Sequence, residues 1–351
     1  LIDKAILKNC RRRKTNLAMA WIDYRKAYDM VPHSWISKCL DMVGAADNIK
    51  ALISNSMKQW KIVLTADGVK LGDVEIKRGI FQGDSLSPLL FVVIMIPLSI
   101  VLRKMKAGYH MNKNTNAVNH LLFMDDLKLY GSNKNQLDSL IQTVRIFSED
   151  IRMQFGLDKC AVLEMKRGKE ILIDGIELPY ESKIGEVDNQ GYKYLGVLQL
   201  DQYMHETMKE RITSGYVKRV KTLCKSKLNA GNLSQGINTW AVSVIRYTAG
   251  IVDWTLEEMQ NLDRKTRKIM NMNRCLHSRS NVARLYVSRN EGGRGLMSIE
   301  ECVMKEKKAL QNYLNDSEEP LLKMTLNEKV FDEKEDLEEF KKRVEDERNT
   351  N

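Results

Sequence analysis

The chain has 351 residues, of which 43% are hydrophobic, and its formal net charge is +10. This composition supplies enough apolar material for a folded core, so it excludes a chain that is disordered throughout. The length fits one large domain or two ordinary ones. The positive charge favours an anionic partner, with nucleic acid first and an acidic membrane second.

The charge is unevenly distributed along the chain. Residues 328–351 carry 10 acidic and 6 basic side chains, a net charge of −4, so the preceding 327 residues carry +14. We expect residues 328–351 to form a solvated, charged tail.

The cysteines and the apolar segments indicate an intracellular protein without a membrane partner. The six cysteines contain no C-x-x-C pair, as expected for reduced thiols. The longest apolar run, residues 89–102, is shorter than the roughly 18 residues of a membrane span and contains Pro97. It therefore predicts a buried core helix. Because residue 1 is Leu and residues 1–7 already read as one face of a helix, we expect the chain to begin inside a longer protein.

The predicted elements of the first 200 residues alternate between strands and helices. An apolar strand over residues 16–22 ends at Asp23, and Arg11–Lys14 is expected in a loop before it. Asp67-Gly68 predicts a hairpin turn between two strands. The predicted elements that follow are helices over residues 34–44, 47–59, 87–102 and 133–155, a strand–turn–strand over 120–130 with Asp125-Asp126 at the turn, a second hairpin at Asp174-Gly175, and a strand over 192–198.

After about residue 200 the strand patterns end and helical patterns dominate. The sequence therefore predicts an α+β fold, in which helices pack on a mainly antiparallel sheet and an all-helical region follows.

Three aspartates are the strongest candidates for chemistry. Asp23 ends one apolar strand, while Asp125 and Asp126 lie at the turn between two others. A lone Asp-Asp pair is usually a solvated turn. If the strands are neighbours in one sheet, however, the three carboxylates converge and offer the oxygen ligands that Mg²⁺ prefers. Two such ions roughly 4 Å apart support phosphoryl transfer.

The motifs around these residues resemble those of a known family. Asp-x-x-x-x-Tyr-Asp at residues 23–29, Gln-Gly-Asp-Ser-Leu-Ser-Pro at 82–88 and Phe-Met-Asp-Asp at 123–126 occur in this order. They resemble motifs A, B and C of reverse transcriptases, and their sequences are most similar to those of non-LTR (LINE-type) retrotransposons. Residues 156–160 resemble motif D and residues 192–197 resemble motif E.

The resemblance implies a polymerase palm with partial fingers over residues 1–200, an all-α thumb and following helical region over 201–327, and the charged tail over 328–351. It implies an RNA-directed DNA polymerase that adds deoxynucleotides to a primer 3′-OH, copying RNA during retrotransposon replication. The implied partners are an RNA template, a DNA primer and deoxynucleoside triphosphates, and the implied place of action is the nucleus.

The resemblance also implies roles for individual residues. Asp23 and Asp125 would be the main ligands of two Mg²⁺ ions, which Mn²⁺ could replace, and Asp126 and the backbone carbonyl of Tyr24 would contribute. Tyr28 would exclude a ribonucleotide 2′-hydroxyl. The remaining implied roles are nucleotide contact by Gln82 and Gly83, a position near the triphosphate for Lys159, and a primer grip formed by Tyr194, Leu195 and Gly196.

Three alternatives for these residues remain open. Tyr28 could be a core tyrosine, Lys159 a surface lysine, and the basic helix around Arg264 and Arg267 a solvated face.

Two alternatives for the function also remain open. Since only 22 residues precede Asp23, we expect incomplete fingers, and the chain could be a nucleic-acid-binding remnant that polymerises poorly or not at all. A different palm polymerase is the other alternative, from a group II intron or copying RNA into RNA. Tyr28 argues against an RNA product because its ring would exclude ribonucleotides.

Overall fold

The computed structural model describes residues 1–112, 117–179 and 182–328. The predicted charged tail lies outside these residues, apart from Glu328.

The described residues form two compact units. The first, here called the sheet unit, is Cys10–Leu195. The second, here called the helical unit, is Leu1–Asn9 together with the chain from Gly196 onward. The first helix therefore contributes its N-terminal residues to the helical unit.

The sheet unit contains all but one of the strands among the described residues. Its elements are α1 (Ile2–Arg13, shared with the helical unit), β1 (Leu17–Ile22), α2 (His33–Met42), α3 (Asp47–Lys58), β2 (Lys61–Ala66), β3 (Val69–Glu75), α4 (Ser87–Lys104), β4 (His120–Phe123), β5 (Asp126–Gly131), α5 (Lys134–Asp150), β6 (Ala161–Lys166), β7 (Lys169–Ile171), β8 (Ile176–Leu178), β9 (Ser182–Ile184) and β10 (Tyr192–Tyr194).

A five-stranded antiparallel sheet in the order β4-β5-β1-β6-β7 forms the centre of this unit. Every residue of β1 is buried, as its uninterrupted apolar sequence requires. Alternate residues of a strand point to opposite faces. On one face, Ala20, Ile22 and Leu129 join the core formed with helices α4 and α5. The other face carries Trp21, opposite Lys128 on β5.

Strands β2 and β3 form a separate hairpin joined by Asp67-Gly68, as predicted. Asp67 and Gly68 both have positive φ, 48° and 79°, which is the backbone of the tight turns that suit a twisted hairpin.

The helical unit contains β11 (Val197–Gln199), α6 (His205–Lys225), α7 (Ala230–Gly236), a π-helical turn (Ile237–Ala241), α8 (Ser243–Thr248), α9 (Leu256–Met272), α10 (Val282–Tyr286), α11 (Ile299–Asp316) and α12 (Pro320–Asn327). The predicted α+β fold is therefore confirmed.

One helix of the described residues, α4, is long and apolar enough to cross a membrane by length and composition alone. Its residues Leu90, Phe91, Ile94 and Leu98 are buried in the core of the sheet unit.

Two local predictions near the N-terminus and at residues 174–175 are wrong. The last turn of α1 contains Arg11, Arg12 and Arg13, which were expected in a loop. Their positive charges are stabilised there by the negative end of the helix dipole. Asp174-Gly175 does not join paired strands. A Cβ on Gly175 would lie 2.3 Å from the Ile184 carbonyl oxygen, so this glycine permits close packing against β9 instead.

The predicted helix over residues 133–155 also ends early, at Asp150. Arg152 has a left-handed backbone, with φ 56°, and the chain turns toward the end of β1. There the Arg25 N–H donates to the Gln154 carbonyl oxygen at 2.8 Å. The helix therefore ends where the chain forms a hydrogen bond with the segment that follows Asp23.

Candidate active site

The antiparallel pairing of β1 and β5 places Asp23 and Asp126 opposite each other. The last paired residues are Ile22 and Leu127, and extending this register by one residue sets Asp23 against Asp126. Asp125 lies in the turn before β5, because Phe123 pairs directly with Asp126 and leaves Met124 and Asp125 as the turn. The three predicted carboxylates are thus brought to one end of two neighbouring strands.

The electrostatics show that these carboxylates act on one another. Burial raises the pKa of Asp126, and the charges of Asp125 and Asp23 raise it further. Burial is also the largest cause of the raised pKa of Asp23; Lys159 opposes it, while Asp125 and Asp158 reinforce it. The site is therefore a cluster of partly buried negative charges, and a cation would stabilise its ionised form.

Asp23 is framed by the segment 156–160, whose only predicted connection to the site is its resemblance to motif D. The Gly156 N–H donates to the Asp23 carbonyl oxygen at 2.9 Å. The Asp23 N–H donates to the Cys160 Sγ at 3.4 Å, and burial raises the pKa of this thiol to about 11. A Cβ on Gly156 would lie 3.1 Å from Asp23 Oδ1. Glycine at this position leaves room for the carboxylate.

Lys159 was predicted to lie near a triphosphate. Its Nζ lies 3.8 Å from Asp23 Oδ1, and its side chain is 66% exposed. The structure therefore brings Lys159 to the carboxylate cluster as an exposed cation.

Tyr24 is buried, so its backbone is the part of the residue that can serve the site. Its hydroxyl is 3.0 Å from the Ser148 Oγ, and its ring packs edge-on against Phe155.

Tyr28 lies in a 3₁₀ turn, Ala27–Met30, just after Asp23. Its ring stacks on Phe91 of α4, with ring centroids 4.9 Å apart. Partial burial raises the pKa of Tyr28, and the charge of Asp125 raises it further. The ring of Tyr28 thus rests on the core beside α4.

Gln82 and Gly83 lie in an exposed loop before α4. Gly83 has φ +93°, and no atom lies within 4 Å of the position where its Cβ would be. The residues before this loop contact the turn that contains Tyr28. The Ile80 N–H donates to the Tyr28 carbonyl oxygen at 2.9 Å. A Cβ on Gly79 would lie 2.9 Å from the Asp29 carbonyl oxygen. Gly79 lies outside the motifs predicted from the sequence, and its close packing against Asp29 explains why a glycine is needed there.

Tyr194 is buried, and its ring centroid lies 5.4 Å from the Lys128 Nζ. Leu195 and Gly196 form a turn in which both residues have positive φ, 46° and 79°. Their role as a primer grip stays a prediction.

Comparison with known proteins decides the family. Residues 2–198, more than half of the chain, match the family described as "Reverse transcriptase (RNA-dependent DNA polymerase)". The chain belongs to this family.

The relatives of this reverse transcriptase include mobile-element proteins. It is 24% identical over 284 residues to the Retrovirus-related Pol polyprotein from type-1 retrotransposable element R2 of Popillia japonica, covering 78% of this chain and 45% of that protein. It is 25% identical over 202 residues to the Pol polyprotein from type-2 retrotransposable element R2DM of Drosophila melanogaster, covering 55% and 18%. The resemblance to non-LTR retrotransposon reverse transcriptases is therefore confirmed. The chain spans less than half the length of these relatives.

Among solved structures, the apo telomerase of Candida tropicalis is similar with a TM-score of 0.42 and 10% identity, over 93% of this chain and 55% of that chain.

Reverse transcriptases use divalent metal ions, and the donor set here suits such an ion. Among the described residues, no three His, Cys, Asp or Glu side chains form a ready-made ligand group. The chemistry of the donors nevertheless fits: Asp23, Asp125 and Asp126 supply carboxylate oxygens, and their mutual repulsion is what a hard divalent cation relieves.

Proposed function

We propose that this chain is the polymerising part of an RNA-directed DNA polymerase that acts in the replication of a non-LTR retrotransposon. The observation that carries the proposal is the β1–β5 register, which sets Asp23 against Asp126, with Asp125 adjacent, in a chain of the reverse transcriptase family. The substrates would be an RNA template, a DNA primer and deoxynucleoside triphosphates. The place of action would be the nucleus of the host cell.

The carboxylates would hold the metal ions. Asp23, Asp125 and Asp126, with the backbone of Tyr24, are the groups that would bind two Mg²⁺ ions, or Mn²⁺ in their place. When bound, the ions would activate the primer hydroxyl and stabilise the leaving oxygen. Because the nucleophile belongs to the primer, the protein contributes positioning and electrostatics rather than a reacting side chain.

The neighbouring residues would select and hold the nucleotide. Tyr28, supported by its stack on Phe91, would block a 2′-hydroxyl. Gln82 and Gly83 would meet the nucleotide from an exposed loop whose backbone is free to approach it. Lys159 would exchange its contact with Asp23 for the triphosphate, since its side chain is exposed beside the carboxylates. Tyr194, Leu195 and Gly196 would grip the primer end.

The helical unit would serve as the thumb that follows the duplex backbone. Helices α6 and α9 expose basic side chains that suit phosphate contacts: Arg211, Lys218, Lys221, Lys225, Arg264, Lys265 and Lys268. Trp240 is 44% exposed and lies under the Arg219 guanidinium, 5.2 Å away, whereas Trp254 is buried in the core.

Primer extension by the purified chain tests the proposal. On an RNA template with Mg²⁺, we expect extension with deoxynucleotides and little with ribonucleotides. The Asp125→Ala variant should lose extension while binding the same primer–template, because a lost ligand weakens the transition state more than backbone contacts.

Asp138, an acidic residue of α5 outside the cluster, provides the control, and Asp138→Ala should extend normally. Full activity in Asp125→Ala would show that the site is elsewhere. Efficient use of ribonucleotides would favour an RNA polymerase.

A further inference from the structure

A buried lysine on β5 lies among three aromatic rings. Lys128 has no exposed surface. Its Nζ is 4.5 Å from the ring centroid of Trp21, 5.4 Å from that of Tyr130 and 5.4 Å from that of Tyr194. Attraction between a cation and an aromatic face strengthens when both are removed from water. This aromatic cage therefore joins strands β1, β5 and β10 at one point.

The cage lies on the face of the sheet that carries the carboxylates. Trp21 and Lys128 are paired across β1 and β5. Asp23 follows Trp21 by two residues, and Asp126 precedes Lys128 by two. Since alternate residues of a strand share a face, the carboxylates are the next residues on this face beyond the cage.

Strand β10 covers the same region. The ring of Tyr192 stacks on Trp21, with ring centroids 5.0 Å apart and planes inclined by 20°. Burial raises the pKa of Tyr192, and the charges of Asp23, Cys160 and Asp126 raise it further. The two tyrosines of β10 thus hold it to the carboxylate face at two points.

We propose that Lys128 is a positioning residue, which fixes β10 against the face bearing Asp23 and Asp126 through its contacts with the rings of Trp21 and Tyr194. The inference rests on the proposed polymerase function. The turn that follows Tyr194 would hold the primer end, so Lys128 sets where that end lies relative to the metal ligands. Such control matters because misplacement by about 1 Å can reduce a rate about 100-fold.

A purely structural lysine would support the fold without affecting where the primer lies. The two roles are separated by a measurement of position. Fe²⁺ replaces Mg²⁺ in the full chain bound to an end-labelled primer on an RNA template, and peroxide with ascorbate then generates hydroxyl radicals at the ion. The sites of primer cutting report the distance from the ion to each nucleotide, without any polymerisation.

Lys128→Met removes the charge but keeps an unbranched chain of similar length. We expect its cutting pattern to move or broaden by at least one nucleotide, while the Kd for primer–template stays within about three-fold. Lys128→Arg keeps a cation between the rings and should retain the original pattern. Lys4→Met is the matched control, since Lys4 is a buried lysine of the helical unit that pairs with Asp253 at 2.8 Å, and it should also leave the pattern unchanged.

An unchanged pattern in a folded Lys128→Met protein would overturn the inference. If thermal melting shows that this variant does not fold, Trp21→Phe decides instead. It keeps an aromatic ring but weakens the attraction to the cation, so a smaller displacement is expected and an unchanged pattern would overturn the inference. Absence of Fe²⁺-dependent cutting by the unsubstituted chain would overturn the proposed function, and this inference with it.

Discussion

At the scale of single residues, the space around Asp23 is limited by its neighbours. Gly156 has an ordinary backbone conformation, with φ −83°, so the glycine there is explained by packing and not by strain. A Cβ at this position would lie 3.1 Å from Asp23 Oδ1. The carboxylate would have to move by a few tenths of an ångström to admit it.

We therefore expect Gly156→Ala to slow primer extension roughly 3- to 10-fold, because small displacements of reacting groups are costly. Its melting temperature should not fall, since replacing glycine in an allowed conformation restricts the unfolded chain. Extension rates and thermal melts check both parts. Gly185→Ala is the control, since no atom lies within 4 Å of its added Cβ. A loss of activity equal to that of Gly156→Ala in this control would contradict the explanation.

Tyr28 makes a second prediction at this scale. Its ring stacks on Phe91, which favours a fixed orientation of the side chain. Tyr28→Ala should raise incorporation of ribonucleotides relative to deoxynucleotides, because the group that would meet the 2′-hydroxyl is gone. Tyr28→Phe keeps the ring and should keep the selectivity. Competition assays with both nucleotide types measure the ratio of ribonucleotide to deoxynucleotide incorporation. An equal ratio in all three proteins would show that Tyr28 serves only the packing of the core.

At the scale of elements, helices α9 and α11 are joined by a buried carboxylate. The Ile299 N–H, in the first turn of α11, donates to Asp263 Oδ1 at 3.0 Å and Oδ2 at 3.2 Å. Burial raises the pKa of Asp263 from 3.8 to about 7, although this hydrogen bond and Arg267 oppose the shift. The folded state therefore favours the protonated acid.

This shift predicts how stability depends on pH. Between pH 3.8 and about 7 the folded chain retains a proton that the unfolded chain has lost, so the free energy of unfolding falls as pH rises through this window. Above the folded pKa the contribution is constant. The total effect is on the order of 4 kcal/mol, since one pKa unit corresponds to about 1.4 kcal/mol.

Urea denaturation at several pH values measures this effect. Asp263→Asn should reduce the slope of the unfolding free energy against pH. The amide oxygen still accepts a hydrogen bond from the Ile299 N–H, but the amide does not titrate. Glu257→Gln removes an exposed carboxyl from the same helix and should not change the pH dependence of the unfolding free energy. An unaltered slope in Asp263→Asn would assign the pH dependence to other groups.

The elements also show which features the sequence could predict. Strong local patterns were sufficient for β1, for the hairpin at Asp67-Gly68 and for the amphipathic helix α5. The end of α5 was not predictable, because Ile151 and Met153 continue its apolar pattern while bonds to Arg25 draw the chain away. A partner distant in the sequence decided that boundary.

The carboxylates of the site were predictable because each stands beside an apolar strand with a recognisable motif. Their neighbours were harder to predict. Lys128 reads as a polar residue on an alternating strand, and only the register with Trp21 and the overlying β10 show that it is buried. Cys160 likewise acquires its contact with Asp23 only when β1 and the segment after α5 come together.

At the scale of the whole molecule, charge should govern binding. The net charge is +10, and the exposed cations of α6 and α9 belong to the helical unit. Each phosphate neutralised by a protein cation releases condensed counterions, so log K falls linearly with log salt concentration, by roughly 0.7–0.9 per contact. Affinity for a primer–template should therefore fall steeply as salt is raised.

The slope identifies which cations make the contacts. Lys218→Gln/Lys221→Gln removes two exposed charges from α6 and should reduce the slope of log K against log salt concentration by about 1.4–1.8, as two lost phosphate contacts require. Lys61→Gln/Lys70→Gln removes the same charge from the β2–β3 hairpin, where both lysines already bind Asp73, at 3.2 and 2.8 Å. This control should change the slope little. Fluorescence anisotropy with labelled primer–template over a range of salt concentrations gives both slopes. Equal reductions in the two variants would mean that net charge, and not the surface of α6, attracts the nucleic acid.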